Sequence, residues 1–267
     1  MKRLAILGAG HLASIVAEAY KKGMLEGYEL VAVMARTPER VSRIIEGTDA
    51  VACAGIEELV AAKPDYVVEA ASVASVRDNV ETILKNCASL VTISIGAFAD
   101  DELLERAKRT AAENGQKIYL ASGAVGGFDL LKTFALMSDG DMKETFCTHK
   151  GPASLRNTPI YTEELEDASK QEDGKSTEVF SGNAREAIAL LPTKVNVAVA
   201  ASLAGIGVEK TEVSINSTYG MSGDDHCITA EAAGCRTVID TFSPTADIAG
   251  WSIVALLQNL ESPVVVF

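Results

Sequence analysis

The sequence predicts an α/β fold: a parallel-sheet domain, followed by an α+β domain with an open, mainly antiparallel sheet. In the first half, continuous apolar runs alternate with amphipathic helical patterns, which is typical of parallel strands covered by helices on both faces. After Gly127 the strand patterns alternate apolar and polar residues, as in antiparallel strands with one open face. We place the first domain at 1–123 and the second at 124–242, and expect a C-terminal helix and strand within 243–267 to pack back on the first domain.

The first domain alternates predicted strands and helices. Pro38 starts one helix, where its missing N–H is not needed, and Gly115 ends another. The apolar runs that predict strands are 3–7, 29–35, 50–55, 65–72, 89–97 and 116–124. The helical patterns between them cover 12–19, 38–45, 56–63, 75–86 and 100–115.

In the second domain, helical spacing predicts a helix over 128–138, and the acid-rich segment 161–178 predicts an exposed helix and loop. A long helix over 245–262 and a short strand over 263–267 are predicted to close the chain. Alternating patterns predict strands at 143–151, 207–218, 225–234 and 236–242.

The chain is acidic, with a formal net charge of -13 and a pI of about 4.7. Such a surface repels phosphate backbones and anionic lipid, so we expect no nucleic-acid and no membrane partner. An anionic small molecule would need a local group of cationic side chains to bind this chain.

The N-terminal stretch allows two interpretations. Lys2 and Arg3 before an apolar run are typical of a secretory signal, but the run breaks at Gly8 and Gly10, which favours a strand that turns into a helix.

The cysteines are odd in number and none are spaced C-x-x-C, so we expect free thiols, no metal site and a cytoplasmic location. These cysteines are Cys53, Cys87, Cys147, Cys227 and Cys235.

The segment Gly8-Ala-Gly-His-Leu-Ala13 fits the pattern G-x-G-x-x-A between the first strand and the first helix. Gly8 permits a tight turn, Gly10 leaves room for a pyrophosphate, and Ala13 allows close packing of helix and strand. The helix N-terminus, with His11 and Leu12, offers N–H groups to the anion. The pattern predicts a Rossmann-type, dinucleotide-binding domain, the alternative being a merely structural glycine turn.

The second strand ends without the acid that usually binds the adenosine ribose. Met34 and Ala35 stand there, followed by Arg36, Thr37 and Arg40. An arginine suits a 2′-phosphate by its charge and its planar donor fork, so NADP is favoured over NAD. The alternative is that these arginines are the solvated start of a helix.

The nicotinamide end of a dinucleotide is expected at the carboxyl ends of the later strands. Small residues at three of these ends, Ala71-Ser72, Gly96-Ala97 and 122–124, would let the ring approach the backbone; ordinary turns are the alternative.

Proton transfer points to the histidines. His11 is expected near phosphate, and His149 ends a strand. His226 follows two aspartates and is the catalytic candidate, because a carboxylate can orient an imidazole; an exposed turn histidine is the alternative.

Several separated segments resemble the L-aspartate dehydrogenase family over essentially the whole chain. They are SGAVGGFDLL (122–131), LPTKVNVAVAASLAGIG (191–207), GDDHCI (223–228), TISIGAFAD (92–100) and VFSGNAREAIALLP (179–192). The resemblance implies reversible NAD(P)-dependent oxidation of L-aspartate to iminoaspartate, which can hydrolyse to oxaloacetate and ammonia or feed NAD biosynthesis.

By the same resemblance, Ala124 and Asn196 are expected to contact the cofactor. His226 is expected in the active site as the acid/base or polarising group at the substrate amine, with Asp225 as its orienting partner.

A dicarboxylate substrate needs cations in this acidic chain. Lys150, Arg156 and Lys194 are the candidates, and His149 is a further candidate for carboxylate recognition; each could instead be a surface charge.

We expect a homodimer that pairs through the open sheet. Two other functions remain open: an NADP-dependent reductase of another imine or carbonyl, and a non-catalytic dinucleotide sensor.

Overall fold

A computed structural model describes residues 1–266 and divides them into two compact units. The first unit consists of Met1–Gly123 and Asp247–Val266, and the second consists of Ala124–Ala246. No helix within residues 1–266 combines the length and the apolar content needed to cross a membrane.

The first unit is built on a six-stranded sheet with the order β3-β2-β1-β4-β5-β6, in which every neighbouring pair is parallel. Most strand residues near the centre are fully buried, because helices cover the sheet. The predicted Rossmann-type sheet is thereby confirmed. Its strands are β1 (Lys2–Leu7), β2 (Tyr28–Met34), β3 (Val51–Cys53), β4 (Tyr66–Glu69), β5 (Ser89–Thr92) and β6 (Ile118–Leu120).

Six helices belong to this unit, together with a short 3-10 helix over Ile95–Ala99. The last of the six packs on the first, where Gly250 lies so close to Ile15 that an added Cβ would approach its Cδ1 atom to 2.7 Å. The hydroxyl of Tyr28 donates to the carbonyl of Leu257 at 2.8 Å and ties the same helix to β2. The helices are α1 (His11–Lys21), α2 (Pro38–Ile45), α3 (Ile56–Ala61), α4 (Val73–Lys85), α5 (Asp101–Glu113) and α10 (Asp247–Glu261).

The second unit contains a five-stranded sheet with the order β11-β10-β7-β9-β8. Three neighbouring pairs are antiparallel, and β7 with β9 is parallel, so the predicted mainly antiparallel sheet is confirmed. Its strands are β7 (Lys143–Lys150), β8 (Ser176–Asn183), β9 (Glu212–Thr218), β10 (Asp224–Ala232) and β11 (Cys235–Ser243).

One face of this sheet is covered by helices, with α6 (Phe128–Met137) against β10 and α9 (Asn196–Ala204) against β7. The helices α7 (Pro152–Leu155) and α8 (Ala184–Leu190) lie between them in the chain. The alternating burial along β7 and β10 marks the covered face, and we call it the buried face of the sheet.

Two sequence predictions are corrected. The predicted strand over 263–267 is not formed as far as Val266, and Phe267 lies outside the described residues. Instead, the backbone N–H of Val266 donates to the side chain of Asn259, whose amide donates in return to the Val266 carbonyl. The acid-rich segment predicted as helix and loop holds only a short 3-10 helix, and its end enters β8.

Candidate active site

A crevice opens in the first unit at the carboxyl ends of β1 and β4, where the strand order changes direction. Gly8 follows β1 with a φ of +132°, and a Cβ there would lie 2.4 Å from the carbonyl oxygen of Ala70. A Cβ on Gly10, the residue before α1, would meet no atom within 4 Å. The turn therefore needs glycine at its first position and leaves open space at the second. The crevice measures about 370 Å³ and is lined by residues 7–10, 34–37, 40, 70–72, 74–75 and 78–79.

The wall formed by the end of β2 and the start of α2 is cationic. Arg36, Thr37 and Arg40 all line the crevice. Within residues 1–266, neither guanidinium group has a hydrogen-bond or ion-pair partner. Both are therefore available to an anionic part of a ligand, and the neutral Met34 lies where an acid would otherwise stand.

A buried carboxylate holds the opposite wall. Glu69, at the end of β4, accepts hydrogen bonds from the backbone N–H groups of Ala71 at 2.9 Å and Ser72 at 2.8 Å. The hydroxyls of Thr92 at 2.6 Å and Ser94 at 3.0 Å also donate to it. Burial raises the pKa of Glu69, and the four donors oppose that rise. Glu69 was not predicted from the sequence, although an acid at the end of an apolar strand is a visible signal.

Two of the expected cofactor residues stand outside the crevice lining, namely His11 and Leu12 at the start of α1. The Nε2 atom of His11 lies 2.6 Å from Oδ1 of Asp247, the first residue of α10. The imidazole thus links the N-termini of two helices. Cofactor contact by either residue stays a prediction, as it does for Ala124 and for Asn196, which begins α9 in the second unit.

His226 lies in β10 on the buried face of the second sheet, where it is 2% exposed. Its ring packs against Phe146 with the ring centroids 5.5 Å apart. Burial, reinforced by the nearby charge of Lys150 and opposed by Asp224, lowers the pKa of His226 to about 4. The imidazole is therefore neutral at pH 7, and its Nδ1 atom has no hydrogen-bond partner within residues 1–266.

Lys150 lies on the same face, at the end of β7, and is also 2% exposed. Its ammonium donates to Oδ1 of Asp224 at 2.7 Å. Burial lowers the pKa of Lys150, an effect that Asp224 opposes and the neighbouring charge of Lys194 reinforces. A buried cation and a neutral imidazole thus occupy one end of one sheet face.

The structure does not bring His149 and Asp225 to this group. They pair with each other across β7 and β10, and because side chains alternate along a strand they lie on the face opposite His226. The Nδ1 atom of His149 contacts the hydroxyls of Thr218 at 3.0 Å and Ser176 at 3.1 Å. The remaining cationic candidate, Arg156, is exposed and pairs with Glu166.

Two hydroxyl residues on the buried face were also not predicted from the sequence. Thr148 is directly opposite His226, and Ser217 on β9 is directly opposite Lys150. Both are buried. Finding them from sequence would have required the register of β7 against β9 and β10, which lie far from β7 in the chain. Within the described residues, no group of three or more His, Cys, Asp or Glu side chains could hold a metal ion.

Comparison with known proteins places this geometry in a known class. Residues 129–260 match the family model described as aspartate dehydrogenase, C-terminal, and residues 8–121 match the NAD binding domain of homoserine dehydrogenase. The L-aspartate dehydrogenase of Methanocella arvoryzae is 32% identical over 271 residues, covering 98% of each chain. That of Methanococcus maripaludis strain C6 is 28% identical over 272 residues, covering 99% of this chain and 98% of the relative.

A solved structure shares the fold over its whole length. The crystal structure of aspartate dehydrogenase from Thermotoga maritima has a TM-score of 0.77 and 24% sequence identity, with 100% of both chains covered. The Rossmann-type sheet, the mixed second sheet and these relatives define an amino-acid dehydrogenase that uses a nicotinamide dinucleotide. Within that class, the chain belongs to the L-aspartate dehydrogenase family, as the sequence resemblance predicted.

Proposed function

We propose that the protein oxidises L-aspartate to iminoaspartate with a nicotinamide dinucleotide, and that water then converts the imine into oxaloacetate and ammonia. The single observation that carries this proposal is the buried, neutral His226 on the same sheet face as the Lys150 cation. Membership of the family supports aspartate as the substrate. The reverse amination uses the same groups, and iminoaspartate can also feed NAD biosynthesis.

The reaction removes a hydride from Cα and a proton from the substrate ammonium. A nicotinamide dinucleotide held at Gly8 and Gly10 would supply the hydride acceptor. A neutral imidazole is a base, so His226 takes the ammonium proton at Nδ1, the atom that has no partner within residues 1–266. After the imidazole has released that proton to solvent, the same atom accepts a proton from the water that attacks the imine carbon and returns it to the departing ammonia. Because burial keeps His226 neutral, each cycle starts with the base form.

The substrate carries two carboxylates, whereas the chain carries a net charge of -13. Lys150 is the cation we assign to one carboxylate, because it lies on the face that bears His226. Lys194, whose charge acts on Lys150, adds to the local positive potential. Arg156 is left out of the site because it is exposed and already paired with Glu166.

We infer that the cofactor is NADP in preference to NAD. Two unpaired guanidinium groups beside Thr37 suit a phosphate on the adenosine ribose, which NADP carries and NAD lacks. Gly8 and Gly10 would hold the pyrophosphate, with Ala71 and Ser72 on the other wall. Ala124 and Asn196 are proposed as further cofactor contacts on the family resemblance.

One assay tests the substrate and the catalytic base together. L-aspartate, L-alanine, L-glutamate and L-homoserine are compared with NAD⁺ and with NADP⁺, and aspartate is expected to give the highest kcat/KM. His226→Ala should lower kcat by about 10³ while the cofactor Kd, measured by NADPH fluorescence, stays within about twofold. His149→Ala, on the opposite sheet face, is the matched control and should keep kcat close to that of the unmodified protein.

The two other functions are outcomes of the same assay. Turnover confined to a compound other than aspartate would replace the proposal with a reductase of another imine or carbonyl. Cofactor binding without turnover of any substrate, unchanged in His226→Ala, would indicate a dinucleotide sensor.

We propose a homodimer that pairs through the open face of the second sheet. Val238 and Phe242 on the edge strand β11 are 45% and 59% exposed, and they pair with Thr229 and Asp225 on the open face of β10. Arg236 and Asp240 alternate with them along the strand, so the face offers apolar area and both charge signs to a second copy.

We propose a cytoplasmic location, with free thiols as the support. All five cysteines are unpaired, two of them exposed, which suits a reducing compartment. The test is the location of a C-terminally tagged chain after cell fractionation, where recovery outside the cytoplasm would contradict the proposal.

A further inference from the structure

The buried face of the second sheet changes from apolar to polar at one end. In the strand order β10, β7, β9, one row consists of Ile228, Phe146 and Val213, all buried. The next two rows toward the end of β7 are polar except at one position. They are His226, Thr148 and Ile215, and then Asp224, Lys150 and Ser217.

Hydroxyls at this end are buried without partners. Thr148 is 0% exposed and Ser217 is 3% exposed, yet neither Thr148 Oγ1 nor Ser217 Oγ has a hydrogen-bond partner within residues 1–266. Other buried hydroxyls of the same unit are satisfied: Ser202 donates to Ala198 and Thr211 donates to Gly207. A buried hydroxyl without a partner destabilises a fold, so its presence calls for a ligand or a function.

The unpartnered atoms are clustered rather than scattered. Four fully buried side-chain atoms lack partners in the described part of the chain, and three of them belong to His226, Thr148 and Ser217. Thr148 is the strand neighbour of His226, and Ser217 is the strand neighbour of Lys150. The fourth atom, Oε1 of Glu144, lies toward the other end of β7. The two unpartnered hydroxyls thus lie on strands next to His226 and Lys150, the groups assigned as base and cation.

We propose that the hydroxyls of Thr148 and Ser217, together with the Lys150 ammonium, form a subsite that binds one carboxylate of the substrate. This inference rests on the proposed function and names further residues for it. A carboxylate accepts up to about four hydrogen bonds, so it can satisfy both hydroxyls and the ammonium at once. Asp224 takes one of the three ammonium donors and leaves the others for the ligand.

The subsite selects an anion rather than a neutral polar group. Lys150 is a buried cation with a single carboxylate partner in Asp224, which is itself partly exposed. Close by, Lys194 adds a second positive charge. A neutral amide would accept hydrogen bonds from the hydroxyls but would not be attracted by the excess positive charge. A carboxylate accepts the same hydrogen bonds and is also attracted by that charge.

The test removes each hydroxyl with little change in the size of the side chain. Thr148→Val and Ser217→Ala should each raise KM for L-aspartate about tenfold or more, with KM for the cofactor within about twofold. The Tm of the protein without substrate should stay the same or rise, because an unsatisfied buried hydroxyl has been removed. A purely structural hydroxyl would instead leave KM unchanged.

Two matched controls remove satisfied hydroxyls. Ser202→Ala is the control for Ser217→Ala, and Thr110→Val, whose hydroxyl donates to Arg106, is the control for Thr148→Val. Both controls should keep the KM for aspartate. Unchanged KM values in Thr148→Val and Ser217→Ala would overturn the subsite. If one of these two variants failed to fold, the other would still decide the question.

A binding measurement separates this inference from the proposed function. In the presence of NADP⁺, the rise of Tm caused by succinate is compared with that caused by propionate, for the unmodified protein and both variants. Smaller rises in the variants support the subsite even if aspartate is not oxidised. Equal rises in the variants, with normal aspartate oxidation in the unmodified protein, would overturn the subsite and leave the proposed function standing.

Discussion

At the scale of single residues, burial decides the charge of the groups on the second sheet. Lys150 and His226 are equally buried, but only Lys150 has a carboxylate in contact, so one keeps a charge-stabilising partner and the other becomes neutral. A neutral histidine can accept a proton from the ammonium group of the substrate, while the neighbouring Lys150 cation attracts a carboxylate of the same substrate.

The arginines of the crevice give a prediction about cofactor choice. The double substitution Arg36→Ala with Arg40→Ala should lower kcat/KM for NADP⁺ about 100-fold and for NAD⁺ less than about threefold, because charge-assisted bonds to a phosphate are lost. Arg43→Ala is the control, since Arg43 lies on α2 but does not line the crevice. A strong preference for NAD⁺ in the unmodified protein would contradict the proposal.

Glu144 gives a prediction about pH. Burial raises its pKa to about 7, against the hydrogen bond from the Ile206 N–H, which lowers it. Between about pH 4.5 and pH 7 the folded chain therefore binds more protons at this residue than the unfolded chain, and the stability it contributes is lost as pH rises. Glu144→Gln keeps the acceptor for Ile206 and removes that loss.

Urea unfolding gives the free energy of unfolding of Glu144→Gln and of the unmodified protein at each pH. We expect the variant's value, relative to the unmodified protein, to be about 2 kcal/mol higher at pH 8 than at pH 5. The comparison must be made as a difference, because His226 acts with opposite sign. Its lowered pKa means that its contribution is lost as pH falls from about 6.5 to about 4. A difference that does not change with pH would contradict the burial of a charged Glu144.

At the scale of elements, the β1–α1 turn has one glycine for the fold and another for the ligand. Gly8 has a positive φ and faces the carbonyl of Ala70, whereas Gly10 has ordinary backbone angles and open space beside it. We therefore expect Gly8 to be needed for the stability of the fold and Gly10 to be needed for cofactor binding.

This separation can be measured with two matched variants. Gly8→Ala should lower the free energy of unfolding by on the order of 3 kcal/mol, because the added methyl group meets backbone in a conformation that favours glycine. Gly10→Ala should leave Tm within about 2 °C but raise the cofactor Kd, because the methyl group occupies the space left for the pyrophosphate. Equal Tm values for the two variants would show that this assignment is wrong.

The alternation of side chains between the two faces of β7 and β10 explains which of the predicted site residues lie together. Residues of even number on both strands, including His226, Thr148 and Lys150, share the buried face, and their odd-numbered neighbours lie on the open face. Asp225 therefore cannot orient His226 from the next position of the same strand. Asp224 is the aspartate on the side of Lys150 and affects His226 through its charge.

At the scale of the whole molecule, the proposed dimer is testable on the open face. Phe242→Asp replaces an exposed aromatic side chain of the proposed interface by a charge and should convert a dimer into a monomer at micromolar concentration, as measured by sedimentation velocity. Leu136→Asp is the control, because Leu136 is an exposed apolar side chain on α6, away from that face. A monomeric unmodified protein, or a Phe242→Asp protein that stays dimeric, would contradict the proposal.

The sequence by itself determined the parallel sheet, the glycine turn between Gly8 and Ala13, and the family. These depend on local signals: apolar runs, glycines at fixed spacing, and motifs in order along the chain. His226 was also singled out, by the family motif around it.

Only the tertiary structure decided which residues stand beside His226. Lys150 and Thr148 share its sheet face, and Ser217 joins them from a strand that pairs in parallel with β7. Strand order and register arise from contacts between distant parts of the chain, and a shift of one residue would place the opposite set of side chains on the buried face. For the same reason β8 was not predicted, because it forms by pairing with the distant strand β9. The strand predicted at the end of the chain does not form, because the Val266 backbone bonds to the side chain of Asn259 instead.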